Sequence, residues 1–363
     1  MLIKREFGSE YWIDKNIPNM DSLTKHTSIF EENEILLASG RACLSLLLDQ
    51  IENLPKTVLL PSYTCDSVAG PFLTRGVKRI YYGTDRLMQP NLLDIERAVK
   101  NGPVIFIHMG HFGFDTNAPL KDLMPVLSES GSIIIEDITH TLFNTEHPLP
   151  SHCRIASIRK WLGLPSGGVI FPGVFESSLR EPDFDFSDFF ELRLKAMNYK
   201  REHIEDKNDD SLKDKYLSLF SRAEDKLTAD DRAYRMDKTS QNILAGADFE
   251  DLKKRRRENY LALLKGFSNI EKITPVFTAL PDHVCPLFFP TFVDMSNRNY
   301  QKLFAQRGLY TAIHWPKNED DTHSCSDLDY IQTHILSIPC DQRYSLQDMN
   351  TLLEIIHDCL SSI

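Results

Sequence analysis

The 363-residue sequence has no CxxC pair and no cysteine–histidine spacing of the kind that holds zinc, and its seven cysteines are scattered and odd in number. That pattern argues against a disulfide framework and a structural metal, and no metal-ligating residues are expected. An excess of basic residues is missing too: 41 Lys and Arg stand against 52 Asp and Glu, a formal net charge of -11. Proteins that neutralise phosphate backbones need the opposite balance, so no nucleic-acid partner is expected. The one dense basic run, Lys253 to Arg257 (KKRRR), follows an acidic segment and reads as the solvated face of a helix. Long apolar runs are also lacking. The opening stretch MLIKREFGSEYWIDK is broken by charges and has no apolar centre of a signal peptide, and no later window approaches a membrane span. A cytoplasmic protein with no membrane partner is the expectation.

What is present is an ordinary globular composition, 42% hydrophobic and 26% charged, which argues against disorder. The length predicts one large and one smaller domain. From about residue 35 to 172 short β-branched runs recur: 57–60, 78–82, 104–109, 132–137, 156–158 and 169–171. Between them, Leu44, Leu47, Leu48 and Ile51 fall at i, i+3, i+4, i+7, one face of a helix. Runs apolar on both pleat faces, alternating with such helices, predict an α/β fold with a largely parallel sheet covered on both sides. Residues 174 to 265 are rich in charge and predict a long helix or helix pair joining two domains. From about 270, CPLFFPTFV and LYTAIHWP alternate with NRNYQKLFAQRGL and LQDMNTLLEIIHDCL, which predicts a small α+β domain. The expected division is 1–250 and 251–363. The sequence shows no internal repeat.

Three features point to chemistry, because ligands of open α/β sheets collect beyond the carboxyl ends of strands. Ser39-Gly40-Arg41-Ala42 opens the amphipathic helix; its amides can seat a phosphate, or Ser39 can simply cap the helix. Asp137 ends the run Ser132–Ile135 as Glu136-Asp137, and can hold a protonated ring nitrogen or cap a loop. Lys160 stands between two apolar runs in IASIRKWLGLPSGGVIF, just before the Gly167-Gly168 turn. In a partly desolvated pocket its amine would have a lowered pKa and react with an aldehyde; otherwise it is a snorkelling strand-end lysine. A phosphate seat, a carboxylate for a pyridine nitrogen and an amine for an aldehyde are together what pyridoxal 5'-phosphate requires.

These segments, in the order LASGRACLSLLL, VLLPSYTCDSV, VIFIHMGHFGFDTN, SIIIEDITHT, ASIRKWLGLPSGGVI, YRMDKTSQNIL, RRRENYLALL, GLYTAIHWP and LSIPCDQRY, resemble the DegT/DnrJ/EryC1/StrS sugar aminotransferase family of fold-type I pyridoxal-phosphate enzymes. The resemblance implies a large three-layer αβα domain with a mostly parallel sheet, a small C-terminal α+β domain and a homodimer. It makes Lys160 the cofactor-binding lysine and proton shuttle, and Asp137 the partner of the pyridine nitrogen, with His140 beside the ring. Backbone amides of Gly40, Arg41 and Ala42 would hold the phosphate, helped by the Ser157 hydroxyl, and His314 in HWP would lie near the substrate. The implied reaction moves an amino group from glutamate or a similar donor to a keto sugar carried on a nucleotide, in polysaccharide or secondary-metabolite biosynthesis. Arg41, Arg159, Arg235 and Arg343 are the candidates for anionic groups of the substrate.

The sequence departs from the family at three places. Ser157 precedes the lysine by three residues where the family has five, Cys65 stands where an aromatic stacks on the cofactor, with Tyr63 as its substitute, and Ala233 replaces an asparagine that reaches the partner subunit's phosphate. Two alternatives therefore stay open: a lyase or dehydratase on the same fold, although the sugar dehydratase branch has histidine in place of the lysine, and a non-catalytic binding relative.

Overall fold

Buried β-branched runs build the sheet. A computed structural model describes residues 6–14, 30, 33–205, 211–316 and 325–361; of the opening stretch, residues 1–5 and 15 lie outside the described residues. A two-residue strand β1 (Phe7–Gly8) precedes β2 (Ile35–Leu37), α1 (Gly40–Gln50), β3 (Thr57–Pro61), α2 (Asp66–Thr74), β4 (Lys78–Tyr82), α3 (Leu92–Val99), β5 (Ile105–His108), α4 (Met124–Glu129), β6 (Ile133–Asp137), β7 (Cys153–Ala156) and β8 (Gly168–Phe171). Strands β2 to β8 form one seven-stranded sheet in the order β2-β8-β7-β6-β5-β3-β4. The pairs from β4 through β7 are parallel, and β8 runs antiparallel between β7 and β2.

Because strand side chains alternate, each strand feeds two cores. Val58, Leu60, Ile107, Ile135 and Ile155 pack with α1 and α2 on one face. Leu59, Phe106 and Ile134 pack with α3 and α4 on the other. This is the three-layer α/β architecture the sequence predicted, with a mostly parallel sheet.

The charged segment forms four helices, not one or two: α5 (Ser187–Glu205), α6 (Ser211–Ala229), α7 (Lys238–Ala245) and α8 (Phe249–Gly266). Helices α5 and α6 run antiparallel, as Asp188 meets Lys226, Arg193 meets Glu224 and Lys200 lies over Tyr216. The last part of the chain forms β9 (Ile273–Pro275), β10 (Phe289–Val293), α9 (Asn297–Ala305), β11 (Leu309–Tyr310), α10 (Ser326–His334), β12 (Ile335–Ile338) and α11 (Leu346–Leu360). Strands β12, β10 and β9 make an antiparallel sheet, while β1 pairs with β11 in parallel.

Two expectations need correction here. The strand expected at 156–158 lies at 153–156, and Ile158–Lys160 is a one-turn 3-10 helix, so Lys160 is not at a strand end. The loop after β6 draws the chain away from the ladder: the Ser157 amide donates to Thr139 Oγ1 (2.9 Å) and the Trp161 indole to the Thr139 carbonyl (2.7 Å). The run KKRRR is not wholly solvated either, since Arg256 is fully buried. It stacks on Trp161 and donates to Gln342 Oε1 (2.8 Å), the Leu287 carbonyl (2.9 Å) and Tyr11 OH (2.8 Å). Its neighbours Lys253 and Arg255 do pair with acids on their own helix.

Candidate active site

The loops following β2, β3, β5, β6 and β7 meet at one cavity of about 150 Å³. Its lining includes Gly40, Arg41, Cys65, Asp137, His140, Ser157, Lys160 and His314, so most of the residues singled out in sequence are brought together. Strand alternation selects Asp137 over Glu136: Asp137 shares its face with Ile135 and α1, whereas Glu136 faces the opposite core.

The start of α1 is placed by close packing. Gly168 of β8 lies so near the Ser39 carbonyl that any Cβ there would overlap it, and a Cβ on Gly40 would stand 3.4 Å from that of Ser157. Ser39 caps the helix, its hydroxyl accepting the Ala42 amide at 3.1 Å. The capping reading of this segment is the one the hydrogen bond shows. Ala42 is not among the cavity residues and its N–H is already taken, which corrects its expected role, while Gly40 and Arg41 belong to the first turn, whose amides have no intrahelical acceptor.

Asp137 is buried, and Thr139 holds it: the Thr139 amide donates to its Oδ1 at 2.9 Å. Burial raises its pKa, while the Thr139 hydroxyl and amide and the Lys160 charge pull the other way. Thr139 thus links the carboxylate to the turn bearing Lys160, a connection that sequence reading missed. Lys160 itself is exposed in the single chain, at the junction between this cavity and a larger outer chamber. Among the described residues no desolvated pocket of the kind expected closes around it.

A group of neutral rings closes the far side. His140 accepts the Phe112 amide on Nδ1 (3.1 Å), which leaves its proton on Nε2. Burial lowers its pKa well below the usual range, aided by His314, His111 and Lys160. His314 is likewise lowered, to about 3, by burial and then by Lys160 and His111, and its Nδ1 meets Ser337 Oγ at 2.8 Å. Trp315 stacks on His140 with centroids 5.3 Å apart. Its φ of 50° is a left-handed conformation unusual for a large residue.

Tyr63, expected to stack on a cofactor, does not line the cavity. It is buried beneath Trp315, edge-on at 4.8 Å, with its hydroxyl donating to the His314 carbonyl at 3.1 Å. Cys65 is at the wall, N-terminal to α2 and accepting from Ser67 Oγ at 3.0 Å. Beside the two imidazoles, Trp315 of the HWP motif brings an indole ring to the cavity.

The four arginine candidates separate. Arg41 and Arg159 line the cavity and Arg343 lines the outer chamber, whereas Arg235 pairs with Asp185 in another part of the molecule. Among the described residues no group of three or more His, Cys, Asp and Glu could hold a metal ion, and no helix is long and apolar enough to cross a membrane.

No protein-family model and no curated protein matches the sequence. Solved structures do. Helicobacter pylori PseC, an aminotransferase involved in the biosynthesis of pseudoaminic acid, superposes with a TM-score of 0.69 at 12% identity, over 99% of this chain and 100% of that one. The sugar aminotransferase CalS13 from Micromonospora echinospora gives 0.62 at 16% identity, covering 98% and 99%. A DegT DnrJ EryC1 StrS aminotransferase from Brucella abortus gives 0.59 at 15% identity, covering 90% and 85%. The layered seven-stranded sheet, the antiparallel sheet of the last part of the chain and these superpositions together give the chain the fold of the DegT/DnrJ/EryC1/StrS aminotransferases.

Proposed function

We propose that the protein is a pyridoxal-phosphate-dependent aminotransferase that moves an amino group from glutamate or a similar donor to a keto sugar carried on a nucleotide. The observation that carries this reading is the convergence of Lys160, Asp137 and the start of α1 on one cavity, from three separate parts of the chain. The residues fit the cofactor. Gly40 and Arg41 amides with the Ser157 hydroxyl suit its phosphate, and the buried Asp137 carboxylate suits a protonated pyridine nitrogen. Pyridoxal phosphate, when bound, supplies an electron sink that acidifies the Cα–H bond of an amino donor.

The chain's own residues then have defined tasks. Asp137, held in place by Thr139, would keep the ring nitrogen of the cofactor protonated. The Lys160 amine would accept and return the proton that moves between carbons of the substrate. His140, with its hydrogen on Nε2, offers a donor at the cavity wall. His314 and Trp315 bound the substrate side. A homodimer would cover the exposed Lys160, since fold-type I enzymes seat the cofactor at a subunit interface by family analogy.

Purified protein with added pyridoxal phosphate should develop a visible absorption band that borohydride removes, and Lys160→Ala should lack it. Glutamate should shift the band in the wild type. Asp137→Asn should retain it while transfer slows by about a hundredfold or more. A colourless protein, indifferent to the cofactor, would favour the non-catalytic binding relative; a band that no amino donor shifts would favour a lyase.

A further inference from the structure

The outer chamber, about 470 Å³ in volume, opens beside Lys160 and is walled by the N-terminal residues 8–11, the turn 159–160 and the antiparallel pair α5–α6. Its charged residues are Arg159, Lys160, Arg193 and Arg343 against Glu10, Glu224 and Asp341. Arg343 is matched by Asp341, with Nε to Oδ1 at 2.7 Å, which leaves three cations facing two carboxylates.

At the junction of chamber and cavity a single carboxylate is shared between arginines. Glu224 Oε1 accepts from Arg159 at 3.0 Å and from Arg193 at 3.1 Å, and its Oε2 lies 3.8 Å from Arg41. Arg193 also reaches Glu10 at 3.5 Å. The two guanidiniums are built in: Arg193 is only 5% exposed, and Phe189 underlies both it and Arg159. Each keeps a buried Nε with no hydrogen-bond partner among the described residues. Burial, and next the like charge of Arg159, lower the pKa of Arg193, and the carboxylates of Glu10 and Glu224 oppose them. Glu224 is less firmly fixed. Its side chain is 43% exposed, although the arginines, against the effect of burial, bring its pKa down to about 2.

We propose that Arg159 and Arg193 form an anion-binding subsite for the carboxylate or phosphate group of the substrate, and that Glu224 is an internal counter-ion that the incoming anion displaces. The inference rests on the reading of the adjoining cavity as the reaction site. The helical pair supplies the device: Arg193 and Glu224 each follow a phenylalanine, Phe189 and Phe220, by one helical turn. The phenylalanines anchor the helices and aim the charges at the turn beside Lys160. An incoming dianion or carboxylate would meet preformed guanidinium donors, and the departing Glu224 would move into solvent, where its charge is hydrated.

The test is calorimetric titration of glutarate and of inorganic phosphate, separately, into protein saturated with pyridoxal phosphate. At least one probe should bind. Glu224→Gln should tighten that binding by about tenfold by removing the competitor, and Arg193→Ala should weaken it by about tenfold or more. Arg193→Lys should recover part of the loss, since it keeps the charge without the fork. A response to glutarate assigns the subsite to a carboxylate, and a response to phosphate alone assigns it to a phosphate-bearing group. Equal affinity in wild type and Glu224→Gln, or no binding of either probe to both, overturns the proposal. Circular dichroism checks folding; if Arg193→Ala does not fold, the other two variants decide. The absorption band reports the cofactor separately, and if none forms the same titrations are made on the protein as purified.

Discussion

At the residue scale, Glu136 and Asp137 are adjacent carboxylates with different surroundings. Asp137 has the Thr139 amide and hydroxyl; Glu136 faces the opposite core, where its Oε2 has no hydrogen-bond partner among the described residues. Its strand neighbour His108 is in the same condition at Nε2, and burial lowers the His108 pKa to about 3. Burial raises the Glu136 pKa from 4.5 to about 7, with Arg154 opposing. The sign of the consequence follows from proton counting. Between pH 4.5 and about 7 the folded state holds more protons than the unfolded state, so stability falls as pH rises through that window. Glu136→Gln, which cannot ionise, should lose this dependence: its stability relative to wild type should increase by up to about 3 kcal/mol from pH 4 to pH 8. Urea unfolding at the two pH values measures it, and parallel profiles would reject the assignment.

At the scale of elements, the start of α1 depends on a glycine in a different element. Gly168→Ala would drive a methyl into the Ser39 carbonyl, so β8 and α1 must separate. A loss of about 1–3 kcal/mol is expected and, on the proposed function, weakened cofactor affinity as the start of α1 shifts. Thermal unfolding and a cofactor titration by absorbance check the two effects; wild-type values for both would refute the close-packing argument. This dependence also marks what could be read in advance. The period of Leu44, Leu47, Leu48 and Ile51 announces α1, and the isoleucines of SIIIED announce β6, because both signals are local. Strand β2 has three residues, too few for any period to show. The 3-10 turn holding Lys160 is set by hydrogen bonds that Ser157 and Trp161 donate to Thr139, 18 and 22 residues away, and Arg193 and Glu224 reach the site from helices whose composition resembles solvated surface. Such contacts are fixed by tertiary packing, so Trp315, Arg193 and Glu224 stayed hidden, whereas Gly40, Asp137, Arg159 and Lys160, which line the same cavity, could be named from the sequence.

On the scale of the whole molecule, Arg256 joins parts that are distant in sequence. From α8 it reaches the loop before β10, the Trp161 carbonyl below the Lys160 turn, Gln342 and the N-terminal Tyr11. Removing such a buried cation leaves several carbonyls without donors. Arg256→Ala should cost about 3–5 kcal/mol, and Arg256→Lys should recover less than half of it, because an ammonium cannot span the same fork. Equilibrium urea unfolding measures both, and a loss below about 1 kcal/mol would show that the partners rearrange freely.

The pairing of β1 with β11 has a consequence for how the molecule comes into being. Phe7 lies beside Leu309, and the Gly8 amide donates to Tyr344 OH at 2.7 Å across 336 residues. During synthesis β1 is made long before β11 and Tyr344, so it has nothing to pair with until those segments emerge. The outer chamber, whose wall this strand begins, is thus completed after the sheet that carries Asp137 can already have formed. Assembly of the lysine's surroundings waits for β11 and Tyr344.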